Sequence, residues 1–481
     1  MRKEIFLIWA CCLLMVPGWV QGQSSVADAL ADTLSLEEYY QLLRDHHPVA
    51  RQADLIPREA LAQLRLARGS FDPKLFGDAD QKVFEGSNYY RHIDGGLKVM
   101  TLPGIEVKAG YEQNIGERLN AEAYTPDEGL IYAGISVPLG QGLLIDPRRA
   151  ALQQARIFQQ STMAQQLALL NELFFDATKA YWEWSEARSV LRVQNQAVEI
   201  AEQRFSFVRD QWRFGDKAAV DTLEALIQLQ TRQLSRQEAD LAEQKARLMV
   251  SNFLWDQNGQ PLVIDDDLEP NLILVDEPQE AAAFDSTVTW LNDLALRHPE
   301  MQLLRFKLAE LEVERRLKAD KLKPKVFVNY NLLNRPVLIG ENPAPIQPNL
   351  FENNYKWGLT VGFPLFLRQE RGNLELTRLK IRDTEFKQDL KLQELTNKVL
   401  AYLAELQNLA DQLELYEETV RNYEALLEAE IFKFRAGKSS LFLVNARETK
   451  LIEARVKFLQ LQNKFRKAAA GLAWSAGVLA G

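Results

Sequence analysis

The sequence predicts an α+β fold in which long antiparallel helical hairpins accompany a small number of β-strands. Two stretches, Arg148 to Phe214 and Asn373 to Ala436, contain neither glycine nor proline. Each stretch runs up to a lone glycine, Gly215 or Gly437, after which a second long helical stretch begins. At 1.5 Å per residue, an unbroken helix over either stretch would be roughly 95–100 Å long. Helices of this length are rods that need other rods to pack against.

The chain follows one plan twice. His47-Pro48 precedes Pro73-Lys74, and His298-Pro299 precedes Pro324-Lys325 at the same interval. In both halves β-like segments, a long helix, a glycine turn and a returning helix follow. We predict two internal structural repeats at residues 23–256 and 289–481, joined by a linker at residues 257–288 that is rich in proline and aspartate.

Heptad spacing on the long stretches predicts coiled-coil packing. In the second half, apolar residues from Val399 to Leu427 alternate spacings of three and four. On the two returning arms they recur every seven residues, as Ile227, Leu234, Leu241 and Leu248, and as Val444, Leu451, Phe458 and Phe465. A seam that repeats every 3.5 residues favours left-handed coiled coils, so we expect these residues to form the core of each hairpin.

Alternation of side chains predicts the strands. From Tyr355 to Phe363 every odd residue is large and apolar, and every even residue is small or polar. Ile105 to Tyr111, Ile131 to Val137 and Val326 to Asn331 follow the same theme. One apolar face per strand fits a sheet on a soluble core or a membrane barrel with lipid outside and water inside. Aromatic residues near strand ends favour the barrel, with membrane-interface positions at Tyr111, Tyr330, Tyr355 and Trp357.

The small number of strands predicts an oligomer. A barrel in lipid must close, since an open edge leaves backbone groups unpaired, and single-chain barrels use about eight strands or more. The sequence offers four to six strand candidates. We therefore expect transmembrane β-strands from several copies to form one shared β-barrel.

The first residues predict export. A basic start precedes the apolar stretch Ile5 to Val16, which is too short to span a bilayer comfortably, and small residues allow cleavage before Gln23. We predict a signal peptide at residues 1–22. Cys11 and Cys12 lie inside it, so the mature chain has no disulfide or thiol chemistry. A lipoprotein, acylated at Cys11, is the alternative.

Composition and motifs exclude several functions. The net charge of −9 offers no basic stripe for nucleic acid. We find no phosphate loop, nucleophile elbow or metal-ligand spacing, so we predict no catalytic residue, no metal and no cofactor, and hence no enzyme. His47 and His298 occupy equivalent His-Pro sites, which indicates a structural role. Asp265 to Asp267 lacks the alternating spacing of a calcium loop.

The layout resembles the TolC family of outer-membrane efflux and secretion channels from Leu34 to the end of the chain. The most specific matches are Phe363-Pro364-Leu365-Phe366, which leads into Arg371-Gly372, and the turn from Phe434 to Leu441. The resemblance implies a homotrimer whose barrel of about twelve strands lies in outer-membrane lipid above a helical α-barrel in the periplasm. It also implies a passive exit duct of a tripartite efflux or type I secretion system.

The resemblance further implies partners for the hairpin tips. Family members dock a periplasmic membrane-fusion adaptor protein, tied to an inner-membrane pump, at these turns. Matched by motif, the adaptor-docking tips are Phe214, Gly215, Asp216, Ala436, Gly437 and Lys438. Acidic residues often narrow the family's periplasmic mouth just past the second tip, where this chain has Leu443 and Ala446. The first repeat offers Asp221 and Glu224 instead, and these are our candidates for the gate.

Two questions stay open at the level of sequence. Gly95 to Gly116 inserts a further hairpin around Pro103-Gly104, which either joins the barrel or forms an external loop. A soluble periplasmic coiled-coil adaptor is the alternative function, although it would not need the alternation from Tyr355 to Phe363. The transported substrate is not readable, and drugs, small molecules and proteins stay equally open.

Overall fold

The protein is described from a computed structural model, which covers residues 33–270, 290–336 and 354–479, except residue 292. The predicted signal peptide, with Cys11 and Cys12, lies outside the described residues. So does the part of the predicted linker that follows residue 270.

Long helices dominate the described chain. In chain order the helices are α1 (Leu36–His46), α2 (Pro48–Gly69), α3 (Pro147–Arg213), α4 (Ala219–Ser251), α5 (Pro299–Asp320), α6 (Arg368–Arg435) and α7 (Leu441–Ala476). α3 has 67 residues and α6 has 68, which confirms the prediction of two very long helices. None of the helices in the described ranges has the combined length and apolarity that crossing a bilayer would require.

Six of the eight strands in the described ranges form one antiparallel sheet. The strands are β1 (Thr33–Leu34), β2 (Lys74–Phe84), β3 (Ser87–Met100), β4 (Glu106–Ile115), β5 (Leu130–Pro138), β6 (Glu269–Pro270), β7 (Lys325–Asn334) and β8 (Tyr355–Gly362). β1 and β6 pair only with each other, and the rest follow the order β2-β3-β4-β5-β7-β8. Within the described chain, β2 and β8 therefore each have one unpaired edge.

The inserted segment from Gly95 to Gly116 joins the sheet and is not an external loop. β3 pairs with β2 and with β4, and β4 pairs in turn with β5. The turn between β3 and β4 is closed by the Gly104 N–H, which donates to the carbonyl of Thr101 at 3.0 Å. Gly104 has φ +89°, a left-handed conformation that glycine adopts without strain. The first half of the chain thus supplies four strands and the second half two.

Contacts divide the chain into two units, each of which takes residues from both halves. The first contains residues 1–48, 177–275 and 414–463, and the second contains residues 49–176, 276–413 and 464–481. The six-stranded sheet lies in the second unit, whereas both helical turns lie in the first. The predicted division into repeats at residues 23–256 and 289–481 stays a prediction.

The returning helix α7 buries three of the four residues that its heptads predict, and the fourth, Phe458, is partly exposed. Val444 and Leu451 are buried in the first unit, and Phe465 is buried in the second. On α3, Val198 and Ala201 form a buried cluster with Leu229 of α4. These contacts give the helices a side-chain core, as heptad spacing requires.

The returning helix α4 exposes the stripe of residues that its heptads predict to be buried. Its leucine stripe is exposed in the single chain: Ile227 is 55% exposed, Leu234 56%, Leu241 52% and Leu248 59%. The buried stripe consists instead of Ala225, Leu229, Arg232, Ala239, Glu243 and Val250. The facing helix α3 is bulky, and the buried indole of Trp184 donates to Glu243 at 3.2 Å. Ala225, Leu229 and Glu243 of α4 therefore contact α3, and the stripe of large residues that repeats every seven positions faces away from it.

The two His-Pro sites are buried within the helical framework. His298 precedes α5, and its Nδ1 accepts from the backbone N–H of Glu300 at 3.2 Å, so it serves as the N-cap. The ring of His47 stacks on Phe253, with centroids 6.0 Å apart. Burial lowers the pKa of His298 to about 4 and also lowers the pKa of His47. These positions fit the structural role that the sequence indicates.

We predict that His298 makes the protein less stable in mild acid. The pKa of His298 is about 4 in the folded state and 6.5 ordinarily, so between these values the unfolded chain binds the proton first. Stability should fall as the pH decreases from 6.5 towards 4. His298→Asn keeps a cap acceptor without this titration. Thermal unfolding at pH 7 and pH 4.5 should show a smaller acid loss in the variant. An equal loss in both proteins would assign the acid sensitivity to other groups.

Candidate functional site

The six-stranded sheet has one apolar face. One cross-strand row on this face runs from Val107 through Ile135 and Tyr330 to Trp357. The apolar side chains of β8 are exposed, and Trp357 is exposed by 64%. A continuous exposed apolar surface indicates contact with lipid or with another chain.

The predicted interface aromatics all lie on this apolar face. Tyr330 pairs in register with Trp357, and the rings of Tyr330 and Tyr355 stack with centroids 5.8 Å apart. Tyr111 pairs with Ile131, and its hydroxyl donates to the carbonyl of Glu128 at 2.9 Å. Their place on the face is therefore known, and their role at a membrane interface stays a prediction.

The opposite face of the sheet is polar, and one of its hydrogen bonds across strands requires a glycine. Tyr132 of β5 reaches across β4 and donates to Asp94 of β3 at 2.8 Å. It crosses β4 at Gly110, where an added Cβ would lie 2.7 Å from the Tyr132 hydroxyl oxygen. A larger residue at position 110 would displace the tyrosine ring. The sheet thus separates an apolar surface from a hydrogen-bonded polar one.

The two hairpin tips close in the same way. Gly215 and Gly437 have φ +84° and +71°, and each follows the last turn of a very long helix. The Gly215 N–H donates to the carbonyl of Trp212, and the next N–H donates to the carbonyl of Gln211. The Gly437 N–H donates to the carbonyl of Phe434, and the next N–H donates to the carbonyl of Lys433. Both are Schellman motifs, in which a left-handed residue satisfies the last helical carbonyls.

The two tips are neighbours within the first unit. The Nζ of Lys217 lies 4.9 Å from the ring centroid of Phe434. Phe434 also packs against a buried cluster formed by Val208, Ala225 and Leu441. Phe214 is 82% exposed, and a Cβ added to Gly215 or Gly437 would meet nothing within 4 Å. The predicted tip residues therefore form one exposed surface, and its role in docking stays a prediction.

The two gate candidates have different surroundings. Glu224 Oε1 accepts from the side-chain amide of Asn445 on α7 at 3.3 Å. Asn445 Oδ1 accepts in turn from Arg204 at 3.0 Å, and Arg204 forms an ion pair with Glu448. Glu224 is therefore directed towards α7 in the single chain, whereas Asp221 lies partly exposed in the first turn of α4. The gate role of both residues stays a prediction.

The ion pair of Arg204 with Glu448 was missed at the level of sequence. Glu448 is buried, four residues after Val444 and three before Leu451, and so lies at a core position of the heptad. A carboxylate at a core position indicates a buried partner of opposite charge, because an unpaired buried charge is costly. Throughout the described ranges, no cluster of three histidine, cysteine, aspartate or glutamate side chains could hold a metal ion.

Comparison with known proteins points to outer-membrane channels. Residues 290–478 match the family model described as Outer membrane efflux protein. No curated protein sequence matches the chain. The solved outer membrane channel CmeC of Campylobacter jejuni superposes with a TM-score of 0.64 at 13% sequence identity, covering 92% of this chain and 86% of that one.

Two further solved structures are similar over almost their whole length. The outer membrane protein VceC of Vibrio cholerae gives a TM-score of 0.64 at 14% identity, covering 92% of this chain and 96% of that one. The open state of the MtrE outer membrane channel of Neisseria gonorrhoeae gives a TM-score of 0.62 at 14% identity, covering 95% of each chain. At such identities the likeness shows the fold, and it confirms the resemblance to the TolC family. Residues 290–478 thus match the outer membrane efflux protein model, within a chain that has the fold of these solved outer membrane channels.

Proposed function

We propose that the protein is the outer-membrane exit duct of a tripartite efflux or type I secretion system. In this proposal it is a homotrimer in the outer membrane that extends into the periplasm, and it is a passive conduit without catalysis. A periplasmic adaptor and an inner-membrane pump are its partners. One observation carries the proposal, namely a six-stranded sheet with an exposed apolar face and two unpaired outer edges.

The exposed apolar face supports a place in lipid. Buried in a bilayer, this face would remove apolar area from water at about 25 cal/mol per Å². The polar face would then line an aqueous lumen, as in transmembrane β-barrels. A soluble periplasmic adaptor would leave the same apolar face in water, and this counts against that alternative.

The unpaired edges support a barrel shared between copies. With an even number of strands, β2 and β8 run in opposite directions. The β8 edge of one copy can therefore pair antiparallel with the β2 edge of the next. Three copies of six strands give an eighteen-stranded barrel, compared with the barrel of about twelve that the resemblance implies.

The exposed leucine stripe of α4 supports the same assembly. Ile227, Leu234, Leu241 and Leu248 form a heptad seam that no helix within the described ranges covers. A seam of this period fits a helix of another copy, because knobs-into-holes packing requires a facing helix. We propose that a second copy covers this stripe.

The hairpin tips are proposed as the adaptor-docking surface, formed by Phe214, Gly215, Asp216, Ala436, Gly437 and Lys438. The exposed phenyl ring of Phe214 and the open space around both glycines suit contact with a partner protein. Asp221 and Glu224 are proposed to face the entrance once three copies converge around an axis. The two halves of the chain, 23–256 and 289–481, are proposed as repeats, of which the first is extended by one hairpin.

We predict a trimer that depends on the α4 stripe. Native mass spectrometry of the mature protein in detergent should show three chains, and unheated samples should migrate differently from heated ones on gels. Leu241→Glu adds a charge to the stripe and should weaken the trimer, whereas Leu241→Met, which keeps an apolar side chain of similar volume at the same position, should not. A stable monomer that needs no detergent would contradict the proposal.

We predict that bulk at the tips blocks docking. Gly215→Val and Gly437→Val place a β-branched side chain at a positive φ and on the proposed surface. Efflux complementation should fall severalfold in both, while the trimer persists. Gly372→Val is the control, because that helical glycine has open space around it. Unchanged efflux at normal expression in both tip variants would remove the tips from the mechanism.

We predict that the two acidic residues near the tips favour cations at the entrance. Three copies of Asp221 and Glu224 in a narrow mouth would attract cations and bind divalent blockers. In planar bilayers, Asp221→Ala together with Glu224→Ala should reduce cation selectivity and weaken block by Mg²⁺. Asn445→Ala is the control, since it releases Glu224 from α7 and keeps both carboxylates. If reversal potential and block stay unchanged in the double variant, the gate lies elsewhere.

A further inference from the structure

We propose that a row of lysines on the polar face of the sheet attracts anions inside the barrel, so that the barrel section of the duct, unlike the entrance at the tips, favours anionic solutes. The lysine row consists of Lys74 on β2, Lys98 on β3 and Lys108 on β4. The inference rests on the proposed function, because the polar face lines a lumen only if copies close the barrel. It concerns the class of solute that the duct passes.

The strand register places these lysines directly opposite one another. Lys74 pairs with Lys98, and Lys98 pairs with Lys108 on its other side. The same row continues through Gly134 and Asn331 to Lys356 on β8. Directly opposed residues on one face have Cβ atoms only about 4.5–5.5 Å apart, and like charges there destabilise a sheet.

In the described part of the chain, no carboxylate contacts the lysines of the row. Among the described residues, none of the three ammonium groups forms an ion pair within 4.0 Å. Lys98 Nζ lies instead 4.1 Å from the ring centroid of Phe76, and Lys108 Nζ lies 5.5 Å from that of Tyr132. Cation–π contacts of this kind hold an ammonium group in place without cancelling its charge.

The carboxylates of the same face lie farther along the strands and have partners of their own. Asp78, Asp94 and Glu112 form a second row, four residues from the lysine row. Asp94 accepts from Tyr132, and Glu112 accepts from Asn114 at 2.9 Å. Four residues of strand span about 13 Å, which exceeds the screening length of about 8 Å at physiological salt. The acidic row therefore does not cancel the field at the lysines.

Glu106 is the nearest carboxylate on the lysine side of this face. It lies two residues before Lys108 on β4 and pairs with Met100. The three lysines and Glu106 leave two positive charges per copy, and Lys356 at the far end of the row adds a third, so three copies would bring nine to the lumen. The lysines lie near the helical end of the sheet, because the adjoining β3–β4 turn lies against Arg149 at the start of α3.

The arrangement suits attraction of anions and not tight binding of one ligand. By strand spacing and tilt, an eighteen-stranded barrel would be about 35 Å wide at the backbone, so lysines of different copies would lie far apart. Because salt screens each field within about 8 Å, each row would raise the concentration of anions along its own part of the lumen wall. Small anions and extended polyanionic solutes are the matching class.

The reversal potential of the purified trimer in planar bilayers, under a tenfold gradient of KCl, tests the inference. Lys74→Gln, Lys98→Gln and Lys108→Gln are combined in one variant. Its chloride-to-potassium permeability ratio should be at least about twofold lower than that of the native protein. The corresponding triple arginine variant keeps the charge and should keep the native ratio. Replacement by glutamine removes repulsion between opposed strands, so the unheated trimer on gels should persist.

The outcomes separate the inference from the proposed function. If the glutamine variant forms normal channels with an unchanged permeability ratio, the lysine row does not attract anions, and the proposed function as a conduit still holds. As a second measurement on the native protein, the current carried by potassium chloride is compared with that carried by potassium gluconate. A ratio of currents that the glutamine variant does not alter would count equally against the inference. A purified native protein that forms no channels would overturn the proposed function itself.

Discussion

The backbone hydrogen bonds at the two outer edges of the sheet are the constraint on which the rest depends. Strands β3, β4, β5 and β7 are paired on both sides, whereas β2 and β8 each leave one row of N–H and C=O groups without a partner among the described residues. Beside an exposed apolar face, such edges cannot be satisfied by water once the face enters lipid. In the proposed assembly the neighbouring copies supply the missing bonds, and the direction of every strand follows from that pairing.

The helices likewise leave apolar side chains without a packing partner in the described chain. α4 leaves the stripe of Ile227, Leu234, Leu241 and Leu248 exposed, whereas α7 buries Val444, Leu451 and Phe465 of its equivalent stripe. Two returning helices with similar heptads therefore have different neighbours. The exposed stripe needs a packing partner and the open sheet edges need hydrogen-bond partners. Further copies of the chain would supply both.

The helices and strands could be predicted from local sequence patterns, whereas the contacts between them depend on residues that are distant in sequence. Missing glycine and proline reveal α3 and α6, and alternation reveals β8, because both patterns depend on near neighbours along the chain. The seven-residue period of Ile227 and Leu234 could not say which stripe of α4 faces inward, since that depends on contacts with residues of the facing helix such as Trp184. Similarly, only the strand register shows that Lys98 lies between two other lysines, and only the contact with Asn445 shows where Glu224 points.

The inserted hairpin has a consequence for how such a duct can change size. A single extra strand would reverse the direction of β5 and send α3 to the opposite side of the membrane. A pair of strands restores the direction, so the chain re-enters its helices on the original side. The circumference of the proposed barrel can therefore grow by whole hairpins while the polypeptide keeps its orientation. A wider barrel then requires no change in the direction of the helices that follow it.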